Sequence, residues 1–465
     1  MRIVFLGSIL VLASLEPSAG RHALPVAAPN DNARPAGILR DGVLTLRLEV
    51  KEAMWYPGGD TLPGRAAAAF AEVGEDPLTP GPLVRVPAGT DVRFLVSNPR
   101  SGDTQTFHGP AALHGGSAAG TDSVIVPPGE QRELRVVGSA PGTYLYRARG
   151  NDALTRALGI KDLLAGAVVV DPPGPGPRPR DRVLMLTQLT DTIGAGGLPV
   201  IRRTIFAING RSWPHTERLA ATVGDSVRWR LINATIQPHP MHLHGFYFRV
   251  DQIAGPAEGE ESRRSEGRMA VTHQMTPFST ASTTWVPERA GNWIFHCHFQ
   301  IHVEPVDNAA AHRGHSTERP HALTGMRGLV VGIVVSPRPG DPAAAEPAAR
   351  RRLRLVAVRD PGGTDSLPSM RYVLDGETGG DSRRGGPGIS LPLVLTRAEP
   401  VEITVVNRLG EPTAVHWHGI ELESYFDGVP GFSGSGARLS PLIAPADSFV
   451  ARFTPPRAGT FMYHS

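Results

Sequence analysis

The sequence predicts an all-β protein built from three consecutive β-sandwich domains, and three observations carry that expectation. Apolar and polar residues alternate in stretches 43–50, 225–231 and 401–406, as they do in strands with one buried face. Gly 53 and Pro 44 punctuate the chain throughout, which suits many short strands and works against long helices. A motif unit also recurs three times along the chain, dividing it into three similar pieces.

Composition narrows the classes further. A chain of 465 residues accommodates about three domains of roughly 150 residues, each with its own core. Hydrophobic residues at 40% exclude a disordered chain. The formal net charge of +3 is too small for a nucleic-acid footprint. Cys297 is the single cysteine, so no intramolecular disulfide framework exists. At the N-terminus Arg2 precedes an apolar run from Ile3 to Leu15, followed by Pro17-Ser18-Ala19 and Gly20. That run is too short to cross a bilayer and reads as a cleavable export signal over 1–20. The mature protein is therefore expected in the periplasm or secreted, with no membrane span. An exported protein that keeps one thiol in an oxidising compartment needs a reason, and metal ligation supplies one.

Two proline-rich linkers, 172–180 and 337–350, separate a first domain at 36–171, a second at 181–336 and a third at 351–465. Residues 153–164 form the best short helical candidate. Each domain carries an asparagine-ended strand, then a short motif, then a second motif later on. In the second domain these are Asn233, His242-Leu243-His244-Gly245 and Phe295-His296-Cys297-His298. In the third they are Asn407, His416-Trp417-His418-Gly419 and Tyr463-His464. The first domain has Asn98, Thr106-Phe107-His108-Gly109 and Tyr146-Arg147-Ala148-Arg149.

Strand geometry distributes these side chains. Residues two apart share a face, so His242 and His244 converge on one side while His239 points to the other. His296 and His298 share a face, and Cys297 points the opposite way. One face thus offers four imidazoles, and the other offers His239, His302 and a thiolate. Two imidazoles and a thiolate with a weak axial thioether make the blue-copper arrangement, for which Met326 is the axial candidate. A structural zinc site is the rival, but it leaves the histidines of the opposite face without a role.

The pattern resembles the multicopper oxidases, the family of laccases, ascorbate oxidase and ceruloplasmin. His-Pro-x-His-Leu-His-Gly (239–245), His-Cys-His-x-x-x-His (296–302) and His-Trp-His-Gly (416–419) match three of that family's four copper motifs, and Tyr463-His464-Ser465 begins the fourth. The resemblance implies cupredoxin-like Greek-key sandwiches. It implies a type-1 copper on His239, Cys297, His302 and Met326, and a type-2 copper on His242 and His416. It further implies a binuclear type-3 pair on His244, His296, His298, His418 and His464, giving about four copper ions per functional unit. By the same resemblance Asp427 matches an acidic residue that relays protons to oxygen, and Cys297 joins the two copper centres.

The type-3 set is one imidazole short, because the chain stops after Ser465, so the sequence is expected to be cut short there. Arg147 and Arg149 replace histidines in the first domain, and arginine does not ligate metals, so that domain is expected to be free of copper. The trinuclear cluster is expected between the second and third domains, an order that also allows contact in trans within a homo-oligomer. The expected activity is one-electron oxidation of a small reductant, phenol-like or a metal ion, coupled to reduction of dioxygen to water. A nitrite reductase-like enzyme and a non-enzymatic copper carrier are the alternatives. The histidine-rich loop 304–323 reads as a surface loop or as a lid over the type-1 site.

Overall fold

The structure is a computed structural model. It describes residues 23–465 except 60–62, 111–122, 139, 152–159, 174–180, 194–200, 256–263, 304–324, 341–346, 348, 360–369, 376–389 and 391. The export signal, most of the first linker, half of the second and the loop 304–323 therefore lie outside the described residues. Among those described, the architecture is all-β, in sandwich domains, as expected.

In the first domain the strand Val43–Trp55 lies between Arg65–Glu72 and Thr90–Asn98. A second sheet runs Gly81–Pro87, Ala165–Asp171, Gly142–Gly150, Gln105–His108 and Ser123–Val126. Leu44, Leu46, Leu48 and Val50 alternate inward from the first sheet and meet Val168, Val170 and Tyr146 of the second. Each such side chain contributes about 1.5–3 kcal/mol by leaving water, so the period-two pattern fixes which face of each strand is buried. The domain begins earlier than the predicted residue 36, because Val26–Pro29 pairs with Val43–Trp55 and Leu78–Thr79. The predicted helix 153–164 falls mostly outside the described residues, and its described end is not helical. Residues 160–164 are irregular, with the Leu163 N–H donating to the Ala68 carbonyl, and residues 153–159 lie outside the described residues.

The second domain repeats the plan. One sheet runs Ile201–Ile208, Asp181–Ile193, Val227–Asn233, Thr280–Trp285, Phe248–Ala254 and Arg264–Ala270. The other runs Arg218–Thr222, Val330–Ser336, Gly291–Cys297, His239–Leu243 and Thr272–Met275. The chain crosses from the first sheet to the second between Asn233 and His239, so the first histidine motif lies beside the strand that ends in Cys297. In the third domain Met370–Asp375, Arg351–Arg359, Val401–Asn407 and Ser448–Phe453 form a sheet, and His416–His418 pairs with Met462–His464. Gly434 of this domain pairs with Asn292 of the second, and the Asn292 amide donates to the Phe432 carbonyl at 3.0 Å.

Each motif loop is shaped by its asparagine. Asn98, Asn233 and Asn407 are fully buried, and each side-chain amide donates to one carbonyl of the loop that follows and to carbonyls of a segment farther along the chain. Asn233 reaches Gln237, Met275 and Thr276 at 2.8–3.2 Å. Asn98 reaches Asp103 and Val126 at 2.8–3.1 Å, and Asn407 reaches Glu411 and Ile443 at 2.8–2.9 Å. A buried amide left unpaired costs about 1–3 kcal/mol. These bonds hold each loop in one path and aim the next strand.

Candidate metal centre

Two groups of side chains lie back to back on the strand Gly291–Cys297. On the core side, Cys297 is fully buried with Phe295 and Met241. Its Sγ is 3.6 Å from His239 Nδ1 and 3.4 Å from His302 Nδ1, and the two Nδ1 atoms are 3.0 Å apart. A point central to this triangle is about 2 Å from every corner, close to a metal–imidazole bond of about 2.0 Å.

The far nitrogens of these rings identify the tautomers. His302 Nε2 is 2.7 Å from Gln237 Oε1, an oxygen that only accepts, so this nitrogen carries the proton. Thr235 Oγ1 donates to the Gln237 carbonyl and accepts the Gln237 N–H, so it receives the His239 Nε2 proton at 2.7 Å. Both Nδ1 atoms then present lone pairs to each other at 3.0 Å. That is repulsive unless a cation lies between them. Burial, then His302, pushes His239 down to about 3, and burial pushes His302 down to about 4, so both rings are neutral near pH 7. Burial pushes the Cys297 thiol up to about 12. The protein alone keeps it a thiol, and forming the thiolate requires a metal.

Met326 lies just before the strand Val330–Ser336. It is half-buried against the cluster of Trp213, Ile294, Val330, Val429 and Phe432. Val303 belongs to both this cluster and the core around Cys297, and the Arg327 N–H donates to its carbonyl at 2.7 Å.

The opposite face of the strand meets the third domain. His242 lies across from His296 in the second domain, and His416 across from His464 in the third. His242 Nε2 is 3.3 Å from His416 Nε2, across the domain boundary. His244 Nε2 is 3.0 Å from His296 Nε2. The rings of His298, His418 and His464 form a third set, with centroids 4.7, 5.2 and 6.1 Å apart. His298 Nε2 and His464 Nε2 are buried with no hydrogen-bond partner.

Four of these rings donate from Nδ1 to an oxygen. His242 donates to the Val271 carbonyl, His296 to that of Cys297 and His416 to that of Asp427, at 2.7–2.8 Å. His244 donates to Asp427 Oδ2 at 2.8 Å. Each of these Nε2 atoms is thereby left as a lone pair facing another lone pair, so the chemistry of the donor set fits bound cations. Burial and neighbouring rings depress His244 and His464 to about 4 and His418 to about 3.

Asp427 is fully buried. His244 and His416 also approach it closely enough for metal binding, but they do so through Nδ1, the nitrogen that carries the proton. Asp427 thus orients the two rings and holds no metal itself. Burial opposes its charge, yet the two imidazoles and the Ser433 hydroxyl at 3.1 Å hold it ionised, well below the usual carboxylate range.

Two glycines permit the close approach. Gly245, at φ +70°, faces the Trp293 ring, where a Cβ would lie 2.1 Å from Cζ3. Gly428, at φ +88°, would place a Cβ 1.9 Å from the Val415 carbonyl oxygen.

The structure gathers ten of the predicted residues into these two groups and puts Asp427 behind the second. Sequence reasoning missed Thr235, Gln237 and Thr272, whose hydroxyl is 3.3 Å from His242 Nδ1 and 3.4 Å from His418 Nε2. Thr235 and Gln237 sit just ahead of the His239 motif, and polar residues beside a ligand motif are the signal that could have flagged them.

The first domain differs. His108 lies opposite Arg147 and Thr106 opposite Arg149. Burial, then the two guanidiniums, lowers the His108 pKa.

Residues 185–305 and 387–465 each match a family model described as multicopper oxidase. A probable nitrite reductase-hydroxylamine oxidoreductase fusion protein of Kuenenia stuttgartiensis is 28% identical over 57% of this chain and 30% of its own length. A copper resistance protein A homolog of Pseudomonas syringae is 40% identical over 23% of this chain and 19% of its own. Copper resistance protein A of Escherichia coli is 31% identical over 30% and 23%. The chain thus spans less than a third of these curated relatives. Among solved structures, the blue copper oxidase of Nitrosomonas europaea has 20% identity and a TM-score of 0.47, covering 63% of this chain and 85% of that one. Both histidine-bearing domains thus match the multicopper oxidase family, over 185–305 in the second and 387–465 in the third.

Proposed function

We propose that this chain is the copper-bearing part of an exported oxidase, which takes single electrons from a small reductant and reduces dioxygen to water. The observation that carries the reading is the facing of imidazole lone pairs in two separate places, around Cys297 and across the boundary between the second and third domains. His239, Cys297 and His302, with Met326 as axial thioether, would hold a type-1 copper. His242 and His416 would hold type-2 copper, and His244, His296, His298, His418 and His464 the type-3 pair. That makes about four ions per functional unit. Bound copper supplies one-electron redox cycling, which the four-electron reduction of dioxygen requires.

The chain's own contributions follow from its geometry. Cys297 is covalently continuous with His296 and His298, which gives a short through-bond connection between the two centres. Gln237 and Thr235 hold the Nε2 protons of His302 and His239, which keeps their Nδ1 atoms available. Asp427 Oδ2 holds the Nδ1 proton of His244 and keeps a negative charge beside the imidazole cluster. Burial of Cys297 and His239 excludes water from the thiolate. Relatives named as copper resistance proteins and as a laccase support donors of both expected kinds, a metal ion or a phenol. Export rests on the apolar N-terminal run; among the described residues no helix is long and apolar enough to cross a membrane.

The relative named as a nitrite reductase fusion keeps one other reading in view. A mononuclear reductase needs a single copper beside the thiolate site, and it would leave most of the imidazoles across the domain boundary unused. The experiment is copper counting together with substrate-driven oxygen uptake. The proposal expects more than two copper ions per functional unit and dioxygen consumption with a phenolic donor or a cuprous or ferrous ion. Two copper ions with nitrite reduction and no oxygen uptake would replace it.

A further inference from the structure

We infer that the cleft between the first and second domains is a binding site for a small organic carboxylate with a flat apolar body. The cleft encloses about 210 Å³ and presents Arg147, Arg149 and Lys161 beside Phe278, Leu164 and Ile236. This size suits a single-ring molecule and falls below the pockets of drug-sized ligands, at about 300 Å³ and above.

The charge distribution selects an anion. Among the described residues neither Arg147 nor Arg149 meets a carboxylate, and the Arg147 guanidinium carbon lies 4.1 Å from the centre of the Phe278 ring. Arginine cannot shed its proton, so two adjacent guanidiniums in a half-enclosed cleft repel each other until an anion joins them. Burial, followed by Arg149, lowers the Arg147 pKa, in keeping with that repulsion. The acidic residue in the wall, Asp162, is already engaged by the Ala68 N–H at 3.1 Å and lies 3.9 Å from Arg100. Lys161 lies 3.8 Å from Asp103. Bidentate pairing with a carboxylate is what guanidinium geometry favours.

The walls are pinned from both domains, as a built site requires. The Thr190 N–H donates to the Ile160 carbonyl at 2.8 Å. The Ile236 N–H donates to Gln188 Oε1 at 3.1 Å, and the Thr280 hydroxyl donates to the Thr143 carbonyl at 3.0 Å. Phe278 sits at φ +59°, a left-handed conformation that is rare for an aromatic residue and worth explaining by function. Its backbone places the ring at the cleft, against Arg147. Ile236 lies between Thr235 and Gln237, the residues that hold the far nitrogens of His239 and His302. An occupant would therefore rest against the segment that orients the thiolate site.

The inference does not depend on the redox reading, and its test needs no turnover. Calorimetric titration of the copper-loaded protein with benzoate, benzamide and inorganic phosphate separates the contributions. Benzoate is expected to saturate one site, with benzamide and phosphate each at least about tenfold weaker, since tenfold is about 1.4 kcal/mol. Arg147→Gln combined with Arg149→Gln should weaken benzoate about tenfold or more, and Arg147→Lys with Arg149→Lys should recover part of the loss. Equal binding of benzamide would overturn the anion requirement, and equal binding of phosphate would overturn the apolar one. Absence of benzoate binding to the unmodified protein would overturn the inference outright, whatever the variants do.

Discussion

The first and second domains place corresponding strands side by side, yet one faces its neighbour with guanidiniums and the other with imidazoles. In the second, Phe295 lies opposite Leu243, the middle of His-Leu-His, and His242 lies opposite His296. In the first, Tyr146 takes the place of Phe295, but the middle residue Phe107 lies opposite Ala148, two residues farther on. A two-residue slip keeps every side chain on its face while moving its partner about 7 Å along the strand. Metal competence in this repeat therefore depends on side-chain identity and on register together. The sandwich itself tolerates either outcome, because the cores are built by the opposite face of the same strands.

The sharpest way to break the comparison is Cys297→Ser. We expect loss of the blue charge-transfer absorption and a fall in oxidase activity of about a thousandfold or more, measured by optical spectroscopy and oxygen uptake, with the imidazole cluster across the domain boundary still loading copper. Retention of the blue absorption would remove the basis for distinguishing the two domains.

Asp427→Asn tests the carboxylate that has no partner function in the first domain. It should lower copper affinity at the interdomain cluster or activity by about 10–100-fold, read by copper titration, while the thiolate-linked absorption stays unchanged. Gln237→Leu removes the acceptor from His302 Nε2. It should shift the reduction potential of the thiolate site and leave copper loading at the other cluster intact, as checked by redox titration.

The copper-free protein should differ between its domains in acid. His239, His244 and His302 have folded-state pKa values of about 3, 4 and 4, below an unfolded value of about 6.5. Between pH 6.5 and 4 the unfolded chain therefore binds more protons, and stability falls as pH falls. Each group contributes at most about 1.4 kcal/mol per pH unit. Thermal melts from pH 7.5 to 4.5 should show the second domain losing stability first; a flat profile would contradict the neutral-imidazole assignment. The smallest effect is expected from Thr106→His, Arg147→His and Arg149→His combined. Copper per chain should not rise, because positions 106 and 149 and positions 108 and 147 pair only within the first domain, and the side chain facing Arg147 from the second domain is Phe278, where His242 instead meets His416 of another domain.

Much of this was legible beforehand. Strand periodicity gave the all-β sandwiches, and the i, i+2 rule placed Cys297 back to back with His296 and His298, as the structure has them. The start of the first domain was not legible, because Val26–Pro29 is too short for periodicity and is held by pairing with distant strands. Gln237 and Thr235 escaped notice because a hydrogen bond to an imidazole leaves no periodic trace. The cleft beside them escaped because its walls come from residues 147–150 and 160–165 of the first domain and from residues 187, 188, 234, 236 and 278 of the second, which only packing unites.

Sequence by itself determined which residues carry nitrogen and sulfur donors and which face of each strand they occupy, since both follow from local chemistry and a two-residue period. Tertiary structure alone decided which imidazoles share a site. His242 finds His416, and His244 finds Asp427, across separations of 174 and 183 residues, and nothing local in a chain encodes a distance of a few ångströms between such remote positions.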